Sequence, residues 1–158
     1  MKLSAYVLAM AMTASTLVGC ATSPTGRNQI LLFGSDQLNA MGAQAFDGMK
    51  SETPVSKQPA QNQYVQCVAD TLLPYVPSGV YSGDWEVVVF NDDQVNAFAL
   101  PGGKIGVYTG LLKVATNQHQ LAAVIGHEIG HVIAQHGNER MSQTTLIQTG
   151  SQVANQVL

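Results

Sequence analysis

Residues 117–136 read NQHQLAAVIGHEIGHVIAQH and carry the strongest structural signal in the chain. Apolar residues recur there at intervals of three and four, which predicts an amphipathic helix with one buried face. Asn117, three residues before Gln120, resembles a capping box and indicates where the helix begins. The pattern runs to about His136, and Gly137 is placed to cap the end. The predicted apolar face consists of Leu121, Ile125, Ile129, Val132 and Ile133.

The same helix carries the group His127-Glu128-Ile129-Gly130-His131. His127 and His131 are four residues apart, so both imidazoles project from one face and can bind a single Zn²⁺. Glu128 is rotated by about 100° from His127. This places its carboxylate to reach a water beside the metal, rather than the metal, and to act as a general base in peptide hydrolysis. The alternative is a surface helix that carries two histidines by chance.

Two glycines flank these residues. Gly126 and Gly130 each cost the helix roughly 1 kcal/mol relative to alanine. We expect this cost to reflect the close approach of a neighbouring element or of a substrate backbone.

Outside this helix, the pattern predicts further helices and a small sheet. Ser35 is a candidate N-cap for a helix to about Lys50, and a second helix is predicted over 64–73. The stretch between them, 51–61, contains two prolines and is typical of a loop. Strands are predicted over 85–90, 96–100 and 104–108, and a short helix over 110–115. The first helix would bury Leu38, Met41, Ala45 and Met49, and the second Val65, Val68, Ala69 and Leu72. Helices segregated from a small sheet predict an α+β fold.

Composition limits the class of protein. The chain has 158 residues, of which 46% are hydrophobic and only 11% charged, with a formal net charge of −3. The length fits one domain, and the absence of a basic field excludes a nucleic-acid binder. One of the two cysteines, Cys67, is expected to be a buried apolar side chain.

The N-terminus has the pattern of a secretory signal peptide over residues 1–19, with a lysine at the start and a short apolar run. The run ends in Leu17-Val18-Gly19-Cys20, which resembles the bacterial lipobox, where cleavage precedes the cysteine and the cysteine is lipidated. The alternatives are an ordinary signal peptide or a buried helix. Residues 20–34 are then the lipidated cysteine and a tether. By resemblance to enterobacterial lipoproteins, the presence of Ala21 rather than aspartate after Cys20 favours sorting to the outer membrane, facing the periplasm.

A longer block of sequence resembles a known family. Residues 96–105 read NAFALPGGKI, residues 107–112 VYTGLL and residues 121–132 LAAVIGHEIGHV, and His136 follows. In this order and spacing they resemble the zinc metallopeptidases related to HtpX, Oma and BepA, with the closest likeness to the periplasmic lipoprotein branch. The resemblance covers about Ser35 to the C-terminus. It implies a helical zincin-like domain with a small β-sheet packed beside the His-Glu-x-x-His helix.

The resemblance also implies roles for individual residues. His127 and His131 would bind one Zn²⁺ per chain, with Glu128 as the catalytic base. The strand Lys104, Ile105, Gly106, Val107 and Tyr108 would be a sheet edge that pairs with an extended substrate, as exposed edges can. The alternative for this region is an ordinary hairpin core.

One element of the family pattern is missing. The family's third zinc ligand is a glutamate on a later helix, in a Glu-x-x-x-Asp segment. Glu139 is the one acidic residue after Glu128; it does not match that segment and is not given the role. His136, rotated by about 180° from His127 on a continuous helix, is expected to be a structural or ligand-supporting residue. Residues 35–158 are therefore expected to be the N-terminal part of the domain, in a fragment or a truncated product.

The sequence thus predicts a lipid-anchored, zinc-dependent endopeptidase. Its partners would be protein or peptide substrates in the periplasm or outer membrane, in envelope quality control, and the membrane itself through Cys20. The missing ligand favours an alternative, a catalytically inactive lipoprotein that acts as a binding module at the outer membrane. A third possibility is a chance motif in a tethered structural protein.

Overall fold

The computed structural model describes residues 20–157, and the predicted signal peptide lies outside them. A hairpin comes first, formed by β1 (Cys20–Thr22) and β2 (Asn28–Ile30). Two helices follow, α1 (Ser35–Glu52) and α2 (Pro59–Leu72), and then a 3-10 turn (Leu73–Tyr75). Next come the strands β3 (Glu86–Phe90), β4 (Ala97–Leu100) and β5 (Lys104–Tyr108). The remaining helices are α3 (Thr109–Leu112), α4 (Gln118–Ile133) and α5 (His136–Val157).

Three strands form a mixed sheet in the order β3-β5-β4. The central strand β5 pairs in parallel with β3, from Glu86 opposite Lys104 onwards, and antiparallel with β4. The outer edge of β3 is partly covered, because Ser56 N donates to Val89 O and Asn91 N donates to Pro54 O, both at 2.7 Å. No backbone hydrogen bond within residues 20–157 reaches the outer edge of β4, which is therefore the more open side of the sheet.

Side chains from both faces of the sheet enter hydrophobic clusters. On one face, the sheet packs with α2 and α4 around residues that include Val65, Ile105, Val107, Leu121 and Ile125. On the other face, α1 contributes to an aromatic cluster of Phe46, Phe90, Phe98 and Tyr108. Phe98 lies opposite Gly106 in the register, and a side chain at Gly106 would collide with the Phe98 ring. The α+β fold predicted from the sequence is confirmed.

The buried face of α1 differs from the predicted one. Leu38, Gly42 and Phe46 are buried, whereas Met41 and Ala45 point to solvent. Gly42 lies inside because the carbonyl of Pro101 approaches its Cα so closely that a Cβ would collide with it. Hydrophobicity alone predicted that the methionines face the core. The contact with the Pro101 carbonyl instead turns the Gly42 side of the helix inwards. Gly34 occupies the N-cap position predicted for Ser35.

Three other expectations are corrected. The predicted tether over 20–34 contains the hairpin β1–β2, in which Gln29 is buried and donates to Ala134 O. The predicted loop over 51–61 is shorter, because α2 begins at Pro59, whose fixed φ suits the first helical position. Cys67 is exposed on α2. No helix within residues 20–157 is long and apolar enough to cross a membrane.

Phe46 provides a test of the α1 packing. It is 0% exposed and makes edge contacts with Phe90 and Phe98, at 5.8 and 6.1 Å between ring centroids. We expect Phe46→Ala to lower the free energy of unfolding by about 3–5 kcal/mol, because it removes a fully buried ring. Met41→Ala, at a position 39% exposed on the same helix, should change it by less than about 1 kcal/mol. Urea unfolding measures both. Equal losses would contradict the observed face.

Candidate metal centre

Helix α4 is buried on one side and open on the other. Leu121, Ile125 and Ile129 are buried in the core, while His127 lies on the opposite side and is exposed. Two residues correspond to a rotation of about 200°, so the isoleucines and the histidines point in opposite directions. The predicted N-cap is confirmed, because Asn117 Oδ1 accepts from His119 N and Gln120 N at 3.1 and 3.0 Å.

The predicted metal-binding residues converge on this open side. Nε2 of His127 and Nε2 of His131 are 3.0 Å apart, with their ring planes at 85°. A potential ligand atom from each of His127, Glu128 and His131 lies within 4.8 Å of the others. Across residues 20–157, no other cluster of histidine, cysteine and acidic side chains has this geometry.

The histidine pair fits a tetrahedral metal ion. Two nitrogens bound to zinc at 2.0–2.1 Å lie about 3.3 Å apart in a tetrahedral site, close to the separation found here. Imidazole is also a preferred ligand type for zinc. The donor set is therefore suitable for Zn²⁺ and provides two nitrogens, with the Glu128 carboxylate beside them.

A sharp corner after α4 brings a third histidine to the site. The helix ends at Ile133, and Gln135 adopts a left-handed backbone conformation with φ of 54°, rare for a residue with a side chain. The predictions of a helix to His136 and of a cap at Gly137 were therefore wrong. Because the chain turns at Gln135, His136 does not lie on the far side of α4. Its Nδ1 is 2.5 Å from Nδ1 of His131.

This contact involves Nδ1 of His131 and so leaves its Nε2 as the nitrogen that could bind a metal. A histidine bound through Nε2 keeps its proton on Nδ1, and a partner for that proton fixes the tautomer and the ring orientation. Nδ1 of His131 would then donate to Nδ1 of His136. The free Nε2 of His131 faces His127. In that arrangement His136 would orient one of the two candidate metal-binding histidines.

Glu139 is engaged away from the histidines. Its carboxylate accepts from both terminal nitrogens of Arg27, Nη1 to Oε1 at 2.5 Å and Nη2 to Oε2 at 2.6 Å. Gln29 Nε2 donates to the same carboxylate at 3.3 Å and to Ala134 O at 2.8 Å. A carboxylate in a bidentate pair with arginine is not available to the metal, so the geometry gives no support to Glu139 as a third ligand.

The residues that follow the hairpin are also bound to α5, through uncharged groups. Asn138 and Ser142 are fully buried. Asn138 Nδ2 donates to Phe33 O at 2.8 Å, and Leu32 N donates to Ser142 Oγ at 2.8 Å. Sequence reasoning missed these residues, because a Ser- and Pro-rich stretch gives no local signal of its partners more than 100 residues away.

The predicted substrate strand is wrong in one respect. Lys104, Ile105, Gly106, Val107 and Tyr108 form the central strand β5, and both of its edges are paired. Lys104 Nζ contacts Glu86 Oε2 at 2.8 Å, and the four residues after it are buried. Parallel pairing with β3, which is distant in the sequence, occupies the edge that the local pattern left free. As in the alternative of an ordinary hairpin core, β5 is buried and pairs with β4 in an antiparallel hairpin.

Two further predicted features have mixed outcomes. A Cβ on Gly126 or Gly130 would meet open space, so no neighbouring element of residues 20–157 explains these glycines. Cys20 is the first residue described and begins β1, and its lipidation stays a prediction.

A helix with this His-Glu-His group beside a small sheet defines a domain of the metallopeptidase class. Comparison with known proteins makes the class specific, because residues 59–157 match Peptidase family M48. The chain belongs to this family, whose peptidases depend on a metal. The predicted resemblance is thereby confirmed.

Individual relatives agree with the family. The chain is 32% identical over 136 residues to the mitochondrial metalloendopeptidase OMA1 of Arabidopsis thaliana, covering 86% of this chain and 26% of that protein. It is 30% identical over 129 residues to the mitochondrial metalloendopeptidase OMA1 of Bos taurus, covering 78% and 24%. It is 29% identical over 96 residues to the beta-barrel assembly-enhancing protease of Escherichia coli (strain K12), covering 61% and 19%. The chain therefore spans about a quarter or less of these relatives' lengths.

The Arg27–Glu139 pair predicts a pH-dependent stability. Hydrogen bonds from Arg27 hold the pKa of Glu139 below its ordinary value. In the unfolded chain the pKa of a glutamate is about 4.3. Because the pKa is lower in the folded state, the ionised carboxylate stabilises the fold at a pH above about 4.3, and this stabilisation is lost as the pH falls through the pKa of the folded state. We expect Glu139→Gln to lower the Tm at pH 7, and the difference from the wild type to shrink between pH 5 and pH 3.

Circular dichroism during heating, at each pH, measures this difference. Glu52→Gln, at an exposed position at the end of α1, is the matched control and should leave the Tm unchanged at pH 7. A difference that stays constant down to pH 3 would contradict the assigned ion pair.

Proposed function

We propose that this chain carries the N-terminal part of the catalytic domain of a zinc-dependent metalloendopeptidase. The observation that carries the proposal is the convergence of His127 and His131, Nε2 to Nε2, with Glu128 beside them on α4 of an M48 domain. The two histidines would hold the zinc. When bound, zinc supplies a Lewis acid that polarises the scissile carbonyl and makes a water acidic.

Glu128 is the proposed general base. It is adjacent in sequence to His127 and half-buried, so its carboxylate is held near the histidines. In this role it takes a proton from the attacking water and delivers it to the nitrogen of the leaving amine. His136 would keep His131 in the tautomer that leaves Nε2 free.

The outer edge of β4 is the candidate surface for the substrate backbone. Tyr108 N donates to Asn96 O, so the alternation of an antiparallel ladder turns the backbone groups of Ala97 and Ala99 outwards. These alanines pack towards α4, the helix that carries the histidines. An extended peptide paired with this edge would therefore lie beside the metal centre.

The lipobox-like sequence that ends at Cys20 supports a cellular location for the protein and, with it, a class of substrates. We propose that Cys20 is lipidated and holds the protein on the periplasmic face of the outer membrane. Its substrates would be periplasmic or outer-membrane proteins, in envelope quality control. Two of the relatives are named beta-barrel assembly-enhancing protease, which supports this setting.

A second function has one observation in its favour. Catalytic zinc sites normally use three protein ligands and a water, and residues 20–157 bring two histidines together while Arg27 engages Glu139. A chain that folds without a complete site would act as a binding module at the outer membrane.

Zinc content and proteolysis test the first function. We expect about one zinc per purified chain by elemental analysis, lost in His127→Ala and retained in His119→Ala, which changes an exposed histidine at the start of α4. Glu128→Gln should retain zinc and slow cleavage of unfolded casein by at least about 100-fold, since it removes the general base.

These results separate the two functions. Cleavage by Glu128→Gln at the wild-type rate would refute the assigned base. A folded wild-type chain without zinc and without cleavage would instead support the binding module.

Lipidation has its own test. We expect the wild-type chain, expressed in a Gram-negative host, to incorporate labelled palmitate and to fractionate with outer membranes. Cys20→Ser should lose the label, and Cys67→Ser should retain it. A Cys20→Ser variant that still carries the label and stays in the membrane fraction would contradict the anchor.

A further inference from the structure

A cavity of about 190 Å³ lies beside the metal centre. One wall comes from α1, with Leu38 and Asn39, and another from the stretch after the 3-10 turn, with Gly79 and Val80. The end of β4, the end of α4 and the start of α5 also line the cavity, and His131 itself is among the lining residues.

The chemistry of the cavity selects an apolar group. Apart from His131, every lining residue is uncharged, and most of the lining is apolar. A cavity of about 150 Å³ with an apolar lining accommodates a benzene ring, so this one has room for a phenylalanine or leucine side chain. A charged side chain would lose its hydration there without gaining an ion-pair partner.

The cavity is continuous with the open edge of β4. Ala99, Leu100 and Pro101 line it, and Ala99 is one of the two residues whose backbone groups face outwards along that edge. Side chains of an extended peptide alternate in direction and advance by about 3.3 Å per residue. A peptide paired with β4 would therefore direct a side chain near Leu100 into the cavity. Since His131 lines the same cavity, that side chain belongs to a residue close to the bond cleaved.

We propose that this cavity is a specificity pocket that binds a large apolar side chain of the substrate, near the scissile bond. The proposal rests on the proposed peptidase function and adds its preference: unfolded segments with an exposed phenylalanine or leucine over segments with acidic residues. The occupant is a side chain of the substrate, because the cavity is lined both by β4, the strand proposed to pair with the substrate, and by His131, a proposed metal ligand.

Gly79 offers a way to fill the pocket with little strain. A Cβ at Gly79 meets nothing within 4 Å, and the same is true of Gly48, on the exposed side of α1 outside the cavity. Gly79→Trp therefore adds bulk at the pocket, and Gly48→Trp is the matched control. Val80→Lys is a second variant, which places a positive charge in the wall.

Binding is measured separately from cleavage. Fluorescein-labelled decapeptides of alanine and serine carry Phe, Leu, Ala or Glu at the centre, and fluorescence anisotropy gives their Kd for the full chain with Glu128→Gln in the presence of zinc. We expect the Phe and Leu peptides to bind at least about tenfold more tightly than the Glu peptide. Gly79→Trp should remove this preference and Gly48→Trp should keep it, while Val80→Lys should improve binding of the Glu peptide.

Each outcome supports or overturns the pocket. A Phe preference that persists in Gly79→Trp overturns it, even if the wild type cleaves these peptides. A Phe preference lost in Gly79→Trp supports it, even if no cleavage occurs, in which case only the peptidase function fails. If no peptide binds to any variant, the pocket is overturned as well.

Discussion

Burial of one side of α4 is the constraint on which the rest of the structure depends. Ile125 and Ile129 are enclosed by the sheet and α2, so the helix can neither rotate nor slide without exposing them. That fixed orientation turns His127 and His131 outwards as a pair, beside the open edge of β4. A metal ion would need both imidazoles held within about 0.5 Å of the binding geometry, and the hydrophobic core provides this because it holds the helix itself.

The turn after α4 places His136, the first residue of the next helix, beside the candidate metal centre. Gln135 changes the direction of the chain in a left-handed backbone conformation, and His136 contacts His131. The corner is held from outside by Gln29, which donates to Ala134 O, and by the Arg27–Glu139 pair at the start of α5. The N-terminal hairpin therefore takes part in placing His136, the histidine that contacts His131.

The local features of this fold could be predicted, and the long-range ones could not. The strand Lys104–Tyr108, the Asn117 cap and the stripe Leu121-Ile125-Ile129 depend on neighbours within a few residues, and the sequence pattern contains them. The central place of β5 depends on pairing with β3, and the inward face of α1 depends on a backbone contact between Gly42 and Pro101. Arg27 and Gln29 appeared to belong to a flexible stretch because their partners lie on α5. The candidate metal site could be predicted from the spacing of the histidines. The cavity beside it could not, because its lining residues come from distant parts of the sequence.

The Arg27–Glu139 bond also bears on the order in which the chain acquires its structure. It joins residues 112 positions apart, so the first hairpin can reach its partner only once α5 is present in the same compartment. Closing a loop of this length costs conformational entropy before any contact repays it, and such contacts slow folding. The helices and the three-stranded sheet use nearer partners and can form first. We therefore expect the hairpin to dock late, and the corner that holds His136 to reach its final geometry only at that step.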